Sequence, residues 1–167
     1  MGDNVETEFT ADLARLKGQV CWGFVAGAGT GSLLSLSLGG RVPRKAPARN
    51  PHLTDEQRMF DGELGLFVEC VWRLDSASEV VCGAWDDNSA DGPMLVGLRR
   101  LVGRAVTAVR TEGPAFDLRV DFGDSLTLRV FSDAVNRAEA RDNYSLLVPG
   151  AVYTVGTRGA LRKEPRE

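Results

Sequence analysis

Apolar and polar residues alternate along much of the chain, and two of the alternating runs look alike. Leu34, Leu36 and Leu38 occupy every second position of LSLSLGG, and Leu118, Val120 and Phe122 do the same in LRVDFGD, 84 residues further on. A period of two sends successive side chains to opposite faces of a sheet, so each run predicts a strand with one buried face. Residues 19–26 (QVCWGFVA) predict a strand before the first run, with GAGTG as the turn between them, and RAVTAVR with TEGP take the same places before the second. Upstream of both, the period lengthens to that of a helix. Phe9, Leu13 and Leu16 fall on one helical face, as do Met94, Leu98 and Leu101. Gly18 and Gly103 stand where a residue of positive φ stops a helix, and Pro93 suits a first helical turn.

The parallel continues downstream. After Gly39 or Gly123, expected to mark turns, come an alternating strand (ELGLFVECV or SLTLRVF), an aromatic-led strand from Trp72 or Tyr144, and a last strand (EVVCGAW or AVYTVGT). Arg15-Leu16-Lys17-Gly18 matches Arg100-Leu101-Val102-Gly103 at an offset of 85, and one residue of slip in the turn reconciles 85 with 84. The predicted class is α+β: mainly antiparallel sheet, about ten short strands with two or three short helices. The chain reads as one domain over 1–167, with pseudo-repeat halves at about 9–88 and 91–162. Ordinary recurrence of strand chemistry is the competing explanation. Arg41 to Asp61 has no counterpart in the second half and reads as an exposed insertion. Its basic, proline-rich start (RVPRKAPARNP) predicts a loop, and Thr54 with Gln57 makes a capping-box pattern for one short helical turn. The ends, MGDNVETE and RKEPRE, read as loose polar tails.

Composition adds constraints. With 167 residues, 43% hydrophobic and 26% charged, the chain can bury a core without a disulfide or a metal. A net charge of −3 and a pI near 5.3 supply no general attraction to nucleic acid or to an anionic membrane. Neither a signal peptide nor a membrane span is readable, which predicts a cytosolic protein. Cys21, Cys70, Cys82 and the single histidine, His52, lack metal-ligand spacing, so neither a metal nor a cofactor is expected. GAGTGS lacks the third glycine and the following helix of a dinucleotide fingerprint. Asp86, Asp87, Asn88 and Asp91 suggest an oxygen-rich loop but lack EF-hand spacing. The sequon Asn143-Tyr144-Ser145 carries no weight without a secretory signal. No catalytic residue is assigned.

The stretch Gly62 to Leu74 (GELGLFVECVWRL) pairs a G-E step with alternating apolar residues and C-x-W-R. It resembles a segment of a family of small uncharacterised bacterial proteins, and the later runs from Leu118, Leu128 and Tyr144 resemble the same family's later strands. Tyr144 stands where tryptophan is usual and Phe67 where histidine is common. The resemblance implies an immunity-like protein of no established activity. On this segment Leu66, Val68, Cys70 and Trp72 form the expected core face, while Phe67, Glu69, Val71 and Arg73 form the other. Glu69, Arg73, Asp86 and Asp87 are the candidate partner-contact residues. The leading expectation is a non-enzymatic interaction module covering a basic protein partner, such as a toxin, with an acidic sheet surface. A small-ligand-binding domain is the alternative and a cryptic hydrolase the third. A protein partner is expected; a membrane and nucleic acid are not. Self-association stays open.

Overall fold

In the computed structural model, which describes residues 2–167, the apolar face of Phe9, Leu13 and Leu16 becomes helix α1 (Gly2–Ala14) and the turn after it, with all three side chains buried. Gly18 ends the segment at φ +86. The helix begins at Gly2, so residues 2–8 of the expected loose N-terminal tail are its first turns, and Met1 lies outside the described residues. The Tyr153 hydroxyl donates to Asp12 at 2.6 Å, and Lys163 pairs with Glu8, which ties α1 to the far end of the chain.

Eleven strands and two further helices follow among the described residues: β1 (Cys21–Val25), β2 (Leu34–Pro43), α2 (Asp55–Met59), β3 (Phe60–Val68), β4 (Val71–Asp75), β5 (Val80–Gly83), α3 (Pro93–Leu98), β6 (Val106–Glu112), β7 (Asp117–Phe122), β8 (Leu126–Phe131), β9 (Asp142–Val148), β10 (Ala151–Gly156) and β11 (Leu161–Pro165). They form a six-stranded sheet of order β1-β2-β3-β9-β10-β11 and a five-stranded sheet of order β5-β4-β8-β7-β6, every pairing antiparallel. The class is therefore α+β. No helix among the described residues is long and apolar enough to cross a membrane.

Each half of the chain contributes to both sheets. β1, β2 and β3 are completed by β9, β10 and β11 from later in the chain, and β6, β7 and β8 by β4 and β5 from the first half. The crossover of the first half falls at Glu69 and Cys70, whose amides both donate to the Asn143 carbonyl, at 2.8 and 3.1 Å. Two consecutive donors on one acceptor interrupt the ladder, so the strand expected across ELGLFVECV ends at Val68. Burial nevertheless keeps its period of two around the corner: Leu64, Leu66, Val68, Cys70, Trp72 and Leu74 are all buried.

An antiparallel bridge between Val20 and Ala105 joins the two parts of the chain, and the hydrogen bonds around it are reciprocal. Gly18 N–H donates to the Val106 carbonyl and Gly103 N–H to the Cys21 carbonyl, both at 2.8 Å; Cys21 N–H to Arg104 and Val106 N–H to Gln19 are both 2.9 Å. A shift of 85 converts each bond into the other, taking 18 to 103 and 21 to 106. The hairpins agree too: Cys21 faces Leu38 and Val106 faces Phe122, each next to a bulge. Gly103, at φ +87, follows α3 and its 3-10 extension (Arg99–Leu101), as Gly18 follows α1.

The parallel breaks at Gly39. It lies at φ +74 inside β2, where the pairing with β3 shifts register, and makes a bulge instead of the expected turn. Gly123, by contrast, leads into a turn in which Asp124 and Ser125 take positive φ. The bulge allows β2 and β3 to continue pairing, with Arg41 facing Gly62 and Pro43 facing Phe60, so both ends of the expected insertion are strand. Its Thr54–Gln57 capping box is present with both hydrogen bonds, and Gln57 Nε2 donates to the Phe24 carbonyl on edge strand β1 at 2.7 Å. The expected C-terminal tail is β11, paired with β10.

A helix fills the space beside each hairpin. α1 packs against β6 and β11, with Phe9 edge-on to Phe116 at 5.9 Å and tilted against Tyr153 at 5.7 Å. α3 packs against β5, close enough that a Cβ on Gly97 would lie 2.6 Å from Cys82 Sγ. One core cluster joins residues of both sheets and both helices.

Candidate functional site

The most conspicuous surface residue is Trp85. It is 82% exposed and sits at φ +70, a conformation that costs a non-glycine residue about 1 to 2 kcal/mol. Strand β5 ends at Gly83, and the chain then turns so that the Trp85 amide donates to Ser32 Oγ at 2.8 Å. Asn88 completes the link with Nδ2 bonds to the carbonyls of Gly27 and Gly31, at 3.0 and 3.1 Å. The 84–92 loop is thereby fastened to the glycine-rich β1–β2 loop, and an indole is held outward between them. Asp86 and Asp87 follow it directly and Asp91 lies further along the same loop. Asp87 accepts from the Ser89 amide at 3.0 Å, and its bonds to Ser89 hold the carboxyl below its ordinary value.

The four residues expected at a partner surface are dispersed. Asp86 and Asp87 share the Trp85 loop. Arg73 lies on the outer face of β4, clamped by Asp75 through two bonds of 2.8 and 3.1 Å. Glu69 is exposed at the β3–β4 corner, where partial burial, then Asp142, raise its carboxyl while Arg162 opposes them. Two arginines of the basic segment have partners within the chain. Arg41 stacks over the Trp22 ring at 4.7 Å and pairs with Glu56, and Arg44 Nε donates to the Gln57 carbonyl at 3.1 Å. His52 is exposed.

Cys21, Cys70 and Cys82 are all free and buried, and burial is the main force that pushes each thiol up to about 12. A thiol held neutral this firmly is a packing group, since the thiolate is the reactive species. Asn143 is fully buried and bonded on both sides, Nδ2 to the Gly156 carbonyl and Oδ1 from the Ala134 amide.

A cleft runs over the outer face of the six-stranded sheet. Two adjoining hollows of about 290 and 650 Å³ share Asp61 and Arg166 as walls. The floor of the smaller one is Ser35, Ser37, Phe67, Ser145, Leu147 and Val152. The bulge at Gly39 and Gly40 bends β2 and β3, and their distal residues Val42, Pro43 and Asp61 line the larger hollow. Arg166 roofs it with bonds to the carbonyls of Glu63 and Gly62, both 2.7 Å. Phe67 is the one floor residue that the sequence reading places on the outward face of a strand. The others escape notice because the cleft joins β2, β3, β9 and β10, which are distant in the chain.

No family model, curated protein or solved structure matches this chain.

Proposed function

We propose that the chain is a non-enzymatic protein-interaction module whose Trp85 loop docks on a basic partner. The observation that carries this reading is the exposed indole, held at positive φ by Ser32 and followed directly in the chain by Asp86 and Asp87. Tryptophan is enriched among the residues that dominate binding energy at interfaces, and its ring accepts a cation on its face. The neighbouring carboxylates would steer and pair a surface rich in Lys and Arg. An immunity-like role, in which the loop covers a basic toxin, is the concrete form of this proposal.

The test compares retention of partners from the native cell by the wild type, Trp85→Gly and Asp86→Asn/Asp87→Asn. A partner held by the wild type should be lost by at least about tenfold in both variants and released by salt. Trp85→Gly should also raise stability by about 1 kcal/mol, because glycine carries no penalty at this φ. A partner retained equally by all three proteins would overturn the reading.

The cleft supports a second reading, a small-ligand-binding domain. Phe67, Leu147 and Val152 offer an apolar floor, and Arg166 and Asp61 offer charge at its rim. A ligand seated there should raise the melting temperature of the wild type and not of Leu147→Arg, which fills the floor.

A further inference from the structure

The outer face of the five-stranded sheet carries a row of four arginines. Arg73 faces Arg129 across β4 and β8, Arg129 faces Arg119 across β8 and β7, and Arg119 faces Arg110 across β7 and β6. Directly opposed residues share a face, and the flanking Trp72, Leu74, Leu118, Val120, Leu128 and Val130 are buried on the other one. Like charges directly opposite each other destabilise a sheet. The row is relieved by carboxylates two residues along three of the four strands: Arg73 Nε reaches Asp75 at 2.8 Å, Arg110 Nε reaches Glu112 at 2.9 Å and Arg119 Nε reaches Asp121 at 3.0 Å. Arg129, whose strand lacks such an acid, crosses to Asp75 at 3.1 Å.

The manner of pairing matters for what the row can do. Among the described residues, Arg110, Arg119 and Arg129 make side-chain hydrogen bonds through Nε alone. Their planes are held by the carboxylates while the terminal nitrogens, four N–H donors on each guanidinium, remain for another acceptor. Among the described residues, the helices that pack closely against this sheet are α1, on β6, and α3, on β5, its two edge strands.

We propose that this face is a second docking surface, independent of the Trp85 loop, and that its occupant is a helix of a protein partner bearing a stripe of carboxylates. Strands lie about 4.8 Å apart, so four arginines in line span about 14 Å. A helix rises about 1.5 Å per residue, so acids at i, i+3, i+7 and i+10 span about 15 Å, and a helix laid across the strands places one carboxylate over each guanidinium. Beside the arginine row runs a second row containing Asp75, Thr127 and Asp121, paired directly across β4, β8 and β7. A helix with Lys or Arg flanking its acidic stripe satisfies this row as well. A phosphate backbone, negative at every nucleotide, offers no cation to this row. The largest ring on the face, Phe131, lies beneath Arg73 at 5.6 Å, so base stacking gains little there.

The experiment uses a labelled helical peptide with Glu at i, i+3, i+7 and i+10 and Lys beside that stripe, titrated with the full chain at low salt and followed by anisotropy. Saturable binding is expected, at least about tenfold tighter than for a scrambled peptide of the same composition, and weakened by salt. Arg119→Gln/Arg129→Gln should lose at least about tenfold, and Arg119→Lys/Arg129→Lys, which keeps charge but loses the planar fork, should fall between. Circular dichroism of both double variants checks that the sheet is intact. Trp85→Gly should bind the peptide like the wild type, so that failure here and failure at the Trp85 loop are separable. Equal affinity for the scrambled peptide, no effect of either double variant, or tighter binding of a single-stranded oligonucleotide would overturn the proposal.

Discussion

Trp72 and Tyr144 perform the same task in the two halves. Each lies near the start of its strand, is fully buried, and sends one polar atom to the hairpin turn of its own half: Trp72 Nε1 to the Ser32 carbonyl at 2.7 Å and the Tyr144 hydroxyl to the Phe116 carbonyl at 2.6 Å. Removing the donor leaves a carbonyl short of a partner, so Trp72→Phe and Tyr144→Phe should each cost about 1 to 3 kcal/mol, and Trp72→Ala about 3 to 5, in urea unfolding. Equal stability of Tyr144→Phe and wild type would show that the bond carries no weight. The cysteines make a pH prediction. Burial moves all three thiols from an ordinary value of 9.0 to about 12, so the unfolded chain ionises them first. Their contribution is fully present below pH about 9 and is lost as pH rises toward about 12. The urea midpoint should therefore fall between pH 9 and 11, less steeply in Cys21→Ala; a flat profile would contradict the assignment.

At the scale of elements, α3 depends on the absence of a side chain. Gly97 costs the helix about 1 kcal/mol relative to alanine, yet a Cβ there would meet Cys82 Sγ at 2.6 Å and Val81 Cγ1 at 2.9 Å. Packing outweighs propensity at this site. Gly97→Ala should destabilise by about 1 to 3 kcal/mol by pushing α3 off β5. Making room with Cys82→Ala should recover roughly 1 kcal/mol of that cost, which a double-mutant cycle would read as coupling between the sites. An additive cycle would mean that α3 shifts without strain.

At the scale of the molecule, the exchange of strands between halves sets what can fold alone. Residues 2–88 hold β1, β2 and β3 without the β9 that lies beside β3, and β4 without β8; residues 91–167 hold the complementary strands. Each half alone would expose the edges and apolar faces that the other covers. Produced separately, the two fragments should lack cooperative unfolding; mixed or co-expressed, they should recover the near-ultraviolet dichroism and two-state melting of the intact chain. A monomeric half that folded by itself would show that the strand exchange is dispensable.

The sequence by itself determined the local chemistry. Period two placed Leu34, Leu36, Leu38, Leu118, Val120 and Phe122 in the core, period 3.6 placed Phe9, Leu13, Leu16, Met94, Leu98 and Leu101 there, and Gly18 and Gly103 stopped their helices at positive φ. These outcomes depend on sterics and burial within a few residues, which is why they are legible in a string. The tertiary structure decided what depends on partners far away in the chain. Gly39 became a bulge because β3 was present to pair beyond it, Cys70 became a corner because two amides met the Asn143 carbonyl, and the C-terminal tail became β11 because β10 offered an edge. The candidate sites belong to this second kind. Asp86 and Asp87 were visible in sequence, but the fastening of Trp85 by Ser32 joins residues 53 apart. The steps Arg73-Leu74-Asp75, Arg110-Thr111-Glu112 and Arg119-Val120-Asp121 were also there to be seen. Only the strand order β4-β8-β7-β6 sets their arginines in one line, because cross-strand register is a property of the assembled sheet and not of any strand within it.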